Sequence, residues 1–175
     1  MNYFDTAYLY PGSEEAVGTI LERHKVRDKV FIASKLPLVI ARGPDDFDKF
    51  FNKELERLRT SYIDYYLMHM LTDRLLWDKL CSWGIEDWIA KKKQSGQIRQ
   101  IGFSFHGIQD EFLKLLDAYP WEFTQIQYNY SDENYQAGVT GLKKAASLGL
   151  PVIVMEPLLG GEARQWPSQR GGRGL

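Results

Sequence analysis

Six short, β-rich apolar runs alternating with longer amphipathic segments predict an α/β fold, a parallel sheet with helices packed on its faces. The runs recur at roughly 30-residue intervals, the size of one βαβ unit. No G-x-G-x-x-G or G-x-x-x-x-G-K phosphate loop follows the first run. A doubly wound sheet usually carries such a loop, whereas a (β/α)8 TIM barrel draws its chemistry from the C-terminal ends of its strands and needs none. Eight units of about 30 residues require on the order of 240 residues. The 175 residues supply six, so the expected fold is an incomplete (β/α)8 barrel with six of its eight βα units.

The strand-like runs are Asn2 to Ala7, Val30 to Lys35, Ile63 to His69, Ile98 to Phe105, Phe123 to Asn129 and Val152 to Glu156. His24 falls on a helix between the first two and has a structural role there. After Pro44, the residues Phe47, Phe50, Phe51, Leu55 and Leu58 share one helical face. Asp45, Asp46 and Asp48 stand at the N-terminal end of that helix, where its dipole favours negative charge. One further helix carries Trp77, Leu80, Cys81, Ile85, Trp88 and Ile89, then Lys91 to Lys93, and stops at Gly96, suited to a left-handed cap. Gly149 followed by Pro151 ends the last helix. The tryptophans and other helix aromatics are packing residues.

Residues 1–161 form the partial barrel in this reading. From Glu162 to Leu175 the composition shifts to Arg, Gln, Gly, Pro and Ser without helical period, which predicts an irregular, disordered tail. Its arginines, Arg164, Arg170 and Arg173, read as a solvated end. Because the first run begins at once, the chain is expected to be a truncated product of a longer gene, with a native or a frameshifted tail.

With 22 Lys and Arg against 23 Asp and Glu, the net charge of −1 argues against nucleic-acid or anionic-membrane partners, which require excess basic residues. The single cysteine, Cys81, cannot form an intrachain disulfide. No apolar run approaches the ~20 residues of a membrane span, and Met1 to Asp5 lacks a signal-peptide layout. A cytoplasmic location is the expectation. No His and Cys pair has metal-ligand spacing, so no metal is expected.

Three consecutive strands end in chemistry-bearing residues: Asp5, Lys35 and His69. In a parallel barrel these ends share one rim, and Tyr10 lies in the loop just past the first. A tyrosine, with an ordinary pKa near 10, becomes a better proton donor when a nearby ammonium favours its phenolate, and Lys35 supplies that charge. A lysine among apolar strands needs a carboxylate such as Asp5 to stay charged. His69 suits orienting a carbonyl oxygen and donating a hydrogen bond to it. Taken singly, Asp5 reads equally as a turn cap, Lys35 as a snorkelling rim residue, Tyr10 as a surface aromatic and His69 as a core histidine. Taken together and in order, they describe a carbonyl-polarising site. A metal-dependent barrel hydrolase using Asp5 and His69 is a distant competitor.

The segments Asp5-Thr6-Ala7-Tyr8-Leu9-Tyr10-Pro11-Gly12-Ser13-Glu14, Ser34-Lys35, Asp64-Tyr65-Tyr66-Leu67-Met68-His69, Ile101-Gly102-Phe103-Ser104, Gln125-Ile126-Gln127-Tyr128-Asn129 and Glu156-Pro157-Leu158-Leu159-Gly160-Gly161 resemble those of the aldo-keto reductases. The resemblance runs from about residue 1 to 161. It implies NADPH-dependent reduction of an aldehyde or ketone, with Tyr10 as general acid, Lys35 and Asp5 as its tuning pair and His69 orienting the carbonyl. It further implies that Ser104 and Gln125 bind the nicotinamide carboxamide, that Met155 covers the ring where many members place a tyrosine, and that the backbone around Leu158 and Gly160 meets the pyrophosphate. Phe105 stands where many members have asparagine, so one carboxamide contact is lost or comes from His106. Glu156 replaces a common serine. The pattern resembles the branch whose longer members add a C-terminal iron-sulfur domain, although with Cys81 alone no cluster can be bound by cysteines here. The missing C-terminal segment is expected to weaken NADPH binding. Two readings of activity follow: a working reductase on a small carbonyl substrate, or a catalytically inactive remnant that self-associates or aggregates through open sheet edges.

Overall fold

A computed structural model of the chain describes residues 2–158. Its strands are β1 (Tyr3–Asp5), β2 (Phe31–Leu36), β3 (Ile63–Leu71), β4 (Ile98–Phe105), β5 (Phe123–Gln127) and β6 (Val152–Met155). All neighbouring pairs are parallel, and their order across the sheet, β1-β2-β3-β4-β5-β6, is the order of the chain. The helices are α1 (Ser13–His24), α2 (Asp45–Leu58), α3 (Arg74–Ser82), α4 (Ile85–Gln94), α5 (Gln109–Leu116) and α6 (Gly138–Ser147). The irregular tail expected at 162–175 and Gly160 lie outside the described residues.

All six expected strands form in the expected places. The helix expected to run unbroken from Trp77 to Gly96 is instead two. Gly84 takes a left-handed φ of 80°, and the amides of Trp83 and Gly84 turn back onto the carbonyls of Leu80 and Cys81. Apolar spacing continues through this break, which is why it reads as one helix: Trp77 and Leu80 of α3 and Ile85, Trp88 and Ile89 of α4 are all buried.

Alternation along the strands divides the core in two. Outward-facing Ile32, Leu36, Tyr66, Met68, Ile101, Phe103 and Ile126 join Phe47, Phe51, Trp77, Trp88 and Phe112 of the helices in one cluster. Inward-facing Ala33, Leu67 and Phe123, with Tyr3, Tyr65 and Ile153, form a second. The rings of Tyr3 and Tyr65 lie 5.4 Å apart, and those of Tyr65 and Phe123 5.3 Å apart, each contact skipping a strand. Gly102 makes room for the second: a Cβ there would sit 2.8 Å from the Phe123 ring.

The sheet is curled. In a flat sheet, β1 and β5 would stand about 19 Å apart at ~4.8 Å per strand, yet Gln125 Nε2 donates to Asp5 Oδ2 at 2.8 Å. The described residues therefore form an arc of six parallel strands around a lumen, its lower part filled by the aromatics.

Helices α1 and α2 meet where α1 carries Gly18, whose backbone lies against the C-terminal end of α2. At the foot of the sheet Asp64, 1% exposed, accepts from Arg27, Arg99 and the backbone amide of Ile32. The two guanidinium groups stack on Tyr62, 3.9 and 4.0 Å from its ring centroid.

Candidate active site

The C-terminal ends of β1 to β6 deliver the chemistry-bearing residues to one rim. Asp5 ends β1, Lys35 stands near the end of β2, and His69 near the end of β3. Tyr10 sits in the turn between β1 and α1. Its amide donates to the Ala7 carbonyl, its carbonyl accepts from the Ser13 amide, and the Thr6 and Ser13 hydroxyls are hydrogen-bonded at 2.7 Å.

Lys35 is the best-buried member, 2% exposed. Its Nζ donates to Asp5 Oδ1 at 2.6 Å and to the Thr6 carbonyl at 2.8 Å, and lies 5.2 Å from the Tyr10 ring centroid. Burial pulls the Lys35 pKa below the ordinary lysine value, and the Asp5 carboxylate opposes that pull. His69 meets Tyr10 edge-on, with ring centroids 6.0 Å apart. Burial, helped by Lys35, pushes His69 down to about 4, so its imidazole is neutral at physiological pH. Tyr10 remains 45% exposed, open to a molecule entering the rim.

One expectation is corrected. Tyr10 does not have a lowered pKa at rest: burial, then the charges of Asp5 and Glu156, raise it above the ordinary tyrosine value. Lys35 faces the ring while its charge is largely engaged by Asp5 and the Thr6 carbonyl, so it does not dominate the phenol's surroundings.

Ser104 on β4 and Gln125 on β5 are register partners. Ser104 Oγ accepts from the Met70 amide at 2.9 Å, leaving its O–H proton without an acceptor among the described residues. Gln125 commits its amide nitrogen to Asp5, while its Oε1 is buried without a partner among the described residues, as is His69 Nδ1. Met155 is half-buried at the end of β6, paired in register with Gln127. Leu158 is exposed at the described C-terminal limit. His106 Nδ1 lies 3.4 Å from Gln136 Nε2, which also donates to Gln127 Oε1. Phe105 packs on Phe112 in the helix layer, ring centroids 5.0 Å apart, so it offers the lumen nothing.

These loose ends fit a carboxamide. A primary amide carries an acceptor oxygen that can take the Ser104 proton and an NH2 group that can reach the Gln125 oxygen. Buried polar atoms in a folded protein are rarely left unpaired, so an orphan acceptor and an unused hydroxyl proton on adjacent strands are the features a bound amide group would complete.

The family model of the Aldo/keto reductase family matches residues 1–171. An uncharacterized oxidoreductase of Bacillus subtilis, YrpG, is 28% identical across 92% of the chain and 54% of its own length. An aldo-keto reductase of Klebsiella pneumoniae, solved in complex with NADPH, is 26% identical with a TM-score of 0.72, covering 92% of this chain and 54% of that one. A Klebsiella pneumoniae aldo/keto reductase solved with NADP and acetate is 26% identical with a TM-score of 0.74, covering 98% of this chain and 58% of that one. The chain belongs to the aldo/keto reductase family, and its six-stranded arc corresponds to part of that family's (β/α)8 barrel. It spans about half the length of the relatives it matches.

Sequence reasoning missed two contributors, Thr6 and Glu54, and one contact of a residue it did name, Gln125. The Thr6 carbonyl binds the Lys35 ammonium, a backbone contact without sequence signal. Gln125 holds Asp5, which needs knowledge of the curl. Glu54 lies fully buried behind the site, and here a signal existed: a carboxylate on the α2 face that also carries Phe47, Phe50, Phe51 and Leu58.

Proposed function

We propose that this chain carries the active site of an NADPH-dependent reductase of aldehydes or ketones, with Tyr10 as the general acid. The observation that carries this reading is the cluster of Asp5, Lys35, Tyr10 and His69: a buried ammonium 2.6 Å from a carboxylate and 5.2 Å from a phenol ring, with a neutral imidazole against the same ring.

Ser104 and Gln125 would bind the carboxamide of the nicotinamide through the hydroxyl proton and amide oxygen left unpaired. Met155, with its polarizable thioether, would cover the ring, and the backbone around Leu158 and Gly160 would meet the pyrophosphate. When bound, NADPH supplies the hydride. The neutral His69 ring donates a hydrogen bond that orients the substrate oxygen between itself and Tyr10. Its depressed pKa keeps a second cation away from Lys35. The raised Tyr10 pKa holds the phenol proton in place at rest. As negative charge grows on the substrate oxygen, that proton moves across, and the Lys35 ammonium stabilises the phenolate only at that stage. Asp5 keeps Lys35 charged and in position.

Titration with NADPH, followed by protein fluorescence, should show saturable binding, and an aldehyde should then consume NADPH. Tyr10→Phe should leave binding intact and reduce turnover by about 10²–10⁴-fold, the usual contribution of a positioned general acid. Absence of saturable binding, or turnover indifferent to Tyr10, would refute the reading.

A further inference from the structure

Behind the Tyr10 turn, on the helix side of the sheet, two buried carboxyl groups share one hydroxyl. Ser34 Oγ lies 2.6 Å from Glu14 Oε1 and 3.1 Å from Glu54 Oε1. Glu14 and Glu54 are both fully buried, and so is Ser34. A serine hydroxyl has one hydrogen and can donate to only one carboxylate. With both groups ionised, the other contact would bring bare lone pairs together in a dry interior.

The remaining contacts decide where the extra proton sits. Glu14 Oε2 accepts from the Arg57 guanidinium at 3.1 Å, so a cation balances its charge. Glu54 is met by hydroxyl groups alone: Ser34 from β2 and, on its other oxygen, Tyr66 from β3. The charged groups nearby are Glu14 on α1, with Glu15 beside it also ion-paired to Arg57, Arg57 one turn along α2, and Lys35 on the opposite face of β2. We propose that Glu14 and Glu54 hold one proton between them, carried on Glu54, and that this proton keeps the turn bearing Tyr10 docked. Glu54 donates it to Ser34 Oγ, Ser34 donates its own to Glu14, and Arg57 closes the chain.

The same arginine reaches the turn. Arg57 Nη1 also donates to the Tyr8 carbonyl at 3.2 Å, and its guanidinium carbon lies 4.4 Å from the centroid of the Tyr8 ring. Glu14 is the second residue of α1, four places after Tyr10. Loss of the proton leaves two carboxylates facing one hydroxyl hydrogen, and the element free to move is the start of α1 with its turn. Glu54 is thus a positioning residue for Tyr10, acting through Ser34, Glu14 and Arg57. Burial and the neighbouring Glu14 charge push its carboxyl well above the ordinary range, in agreement with this assignment.

The sign follows from linkage. The native pair retains a proton that unfolded glutamates release, so this contribution is complete below the ordinary carboxyl range and is lost as pH rises toward the native value. Across that window the folding equilibrium constant falls about tenfold per pH unit. Imidazoles, Cys81 and the tyrosines titrate in wild type and in a Glu54 variant alike, so the readout is the difference between the two. Glu54→Gln supplies a neutral group of the same shape, whose NH2 can donate to Ser34 and whose oxygen still accepts from Tyr66. The expected result is that wild type loses stability with rising pH more steeply than Glu54→Gln, and that the protection factors of amides in residues 8–16, corrected for intrinsic exchange, fall with pH in wild type but not in the variant. A variant whose stability declines with pH as steeply as wild type overturns the proposal. Should Glu54→Gln fail to fold, infrared spectroscopy of the wild-type chain at neutral pH decides instead: the carbonyl stretch of a protonated carboxyl must be present, and its absence overturns the proposal. The consequence for Tyr10 rests on the function proposed above, but the proton is measured without cofactor or substrate, so either can fail alone.

Discussion

Asp5 and Gln125, 120 positions apart, are joined by a 2.8 Å hydrogen bond across the lumen. It is a neutral donor on a carboxylate that already holds the Lys35 ammonium on its other oxygen. Hydrogen bonds to charged groups contribute about 1.5–3 kcal/mol. Gln125→Leu should therefore lower stability by that amount, seen as a reduced urea midpoint with an unchanged slope. An unchanged midpoint would mean that the curl is held by the aromatic layer below.

At the foot of the sheet, Asp64→Asn should cost about 3 kcal/mol, because it strips the shared anion from two arginines and weakens the contact to the Ile32 amide. Since Asp64 is buried, the loss should change little with added salt, in contrast to the exposed pair of Arg74 and Asp78. Chemical denaturation at two ionic strengths measures both.

Gly18→Ala reverses the usual helix rule. Alanine in place of glycine within a helix normally stabilises by up to about 1 kcal/mol. Here the added Cβ would meet the Arg57 carbonyl oxygen at 2.3 Å and the Leu58 backbone at 2.7 Å. A net loss of about 1–3 kcal/mol is expected, read as a lowered melting temperature.

His69 makes stability depend on pH in the acid range. Its native pKa near 4 lies below the ordinary 6.5, so the folded chain binds fewer protons there than the unfolded one. Its contribution is complete above pH 6.5 and is lost as pH falls toward 4, by at most about 1.4 kcal/mol per unit. His106, lowered in the same direction by burial, adds to the slope. His69→Gln should flatten the curve in this window without abolishing it, as followed by urea titration from pH 7 to 4.

The strands and the cluster of polar residues at their rim were legible because both are local. A short β-rich apolar run marks each strand, and the polar residues at its end fall on the rim, so Asp5, Lys35 and His69 could be aligned without a structure. What lay beyond reach depends on how the sheet closes and on what surrounds each charge. The curl decides that Gln125 spends its nitrogen on Asp5, and depth decides that Tyr10 is raised although an ammonium lies beside it. The division at Gly84 is hidden by apolar spacing that continues in phase across it. Glu54 could have been noticed, since a carboxylate among Phe51, Leu55 and Leu58 contradicts the polar exterior expected of a surface helix.

Strand order in this sheet repeats chain order without exception. Each strand pairs with the one synthesised just before it, so the arc can be laid down unit by unit as the chain leaves the ribosome, with no earlier gap to be reopened. Asp5 and Lys35 can meet once β2 has emerged. The clasp on Asp5 from across the lumen waits until residue 125, so the pair of Asp5 and Lys35 is assembled early and braced late.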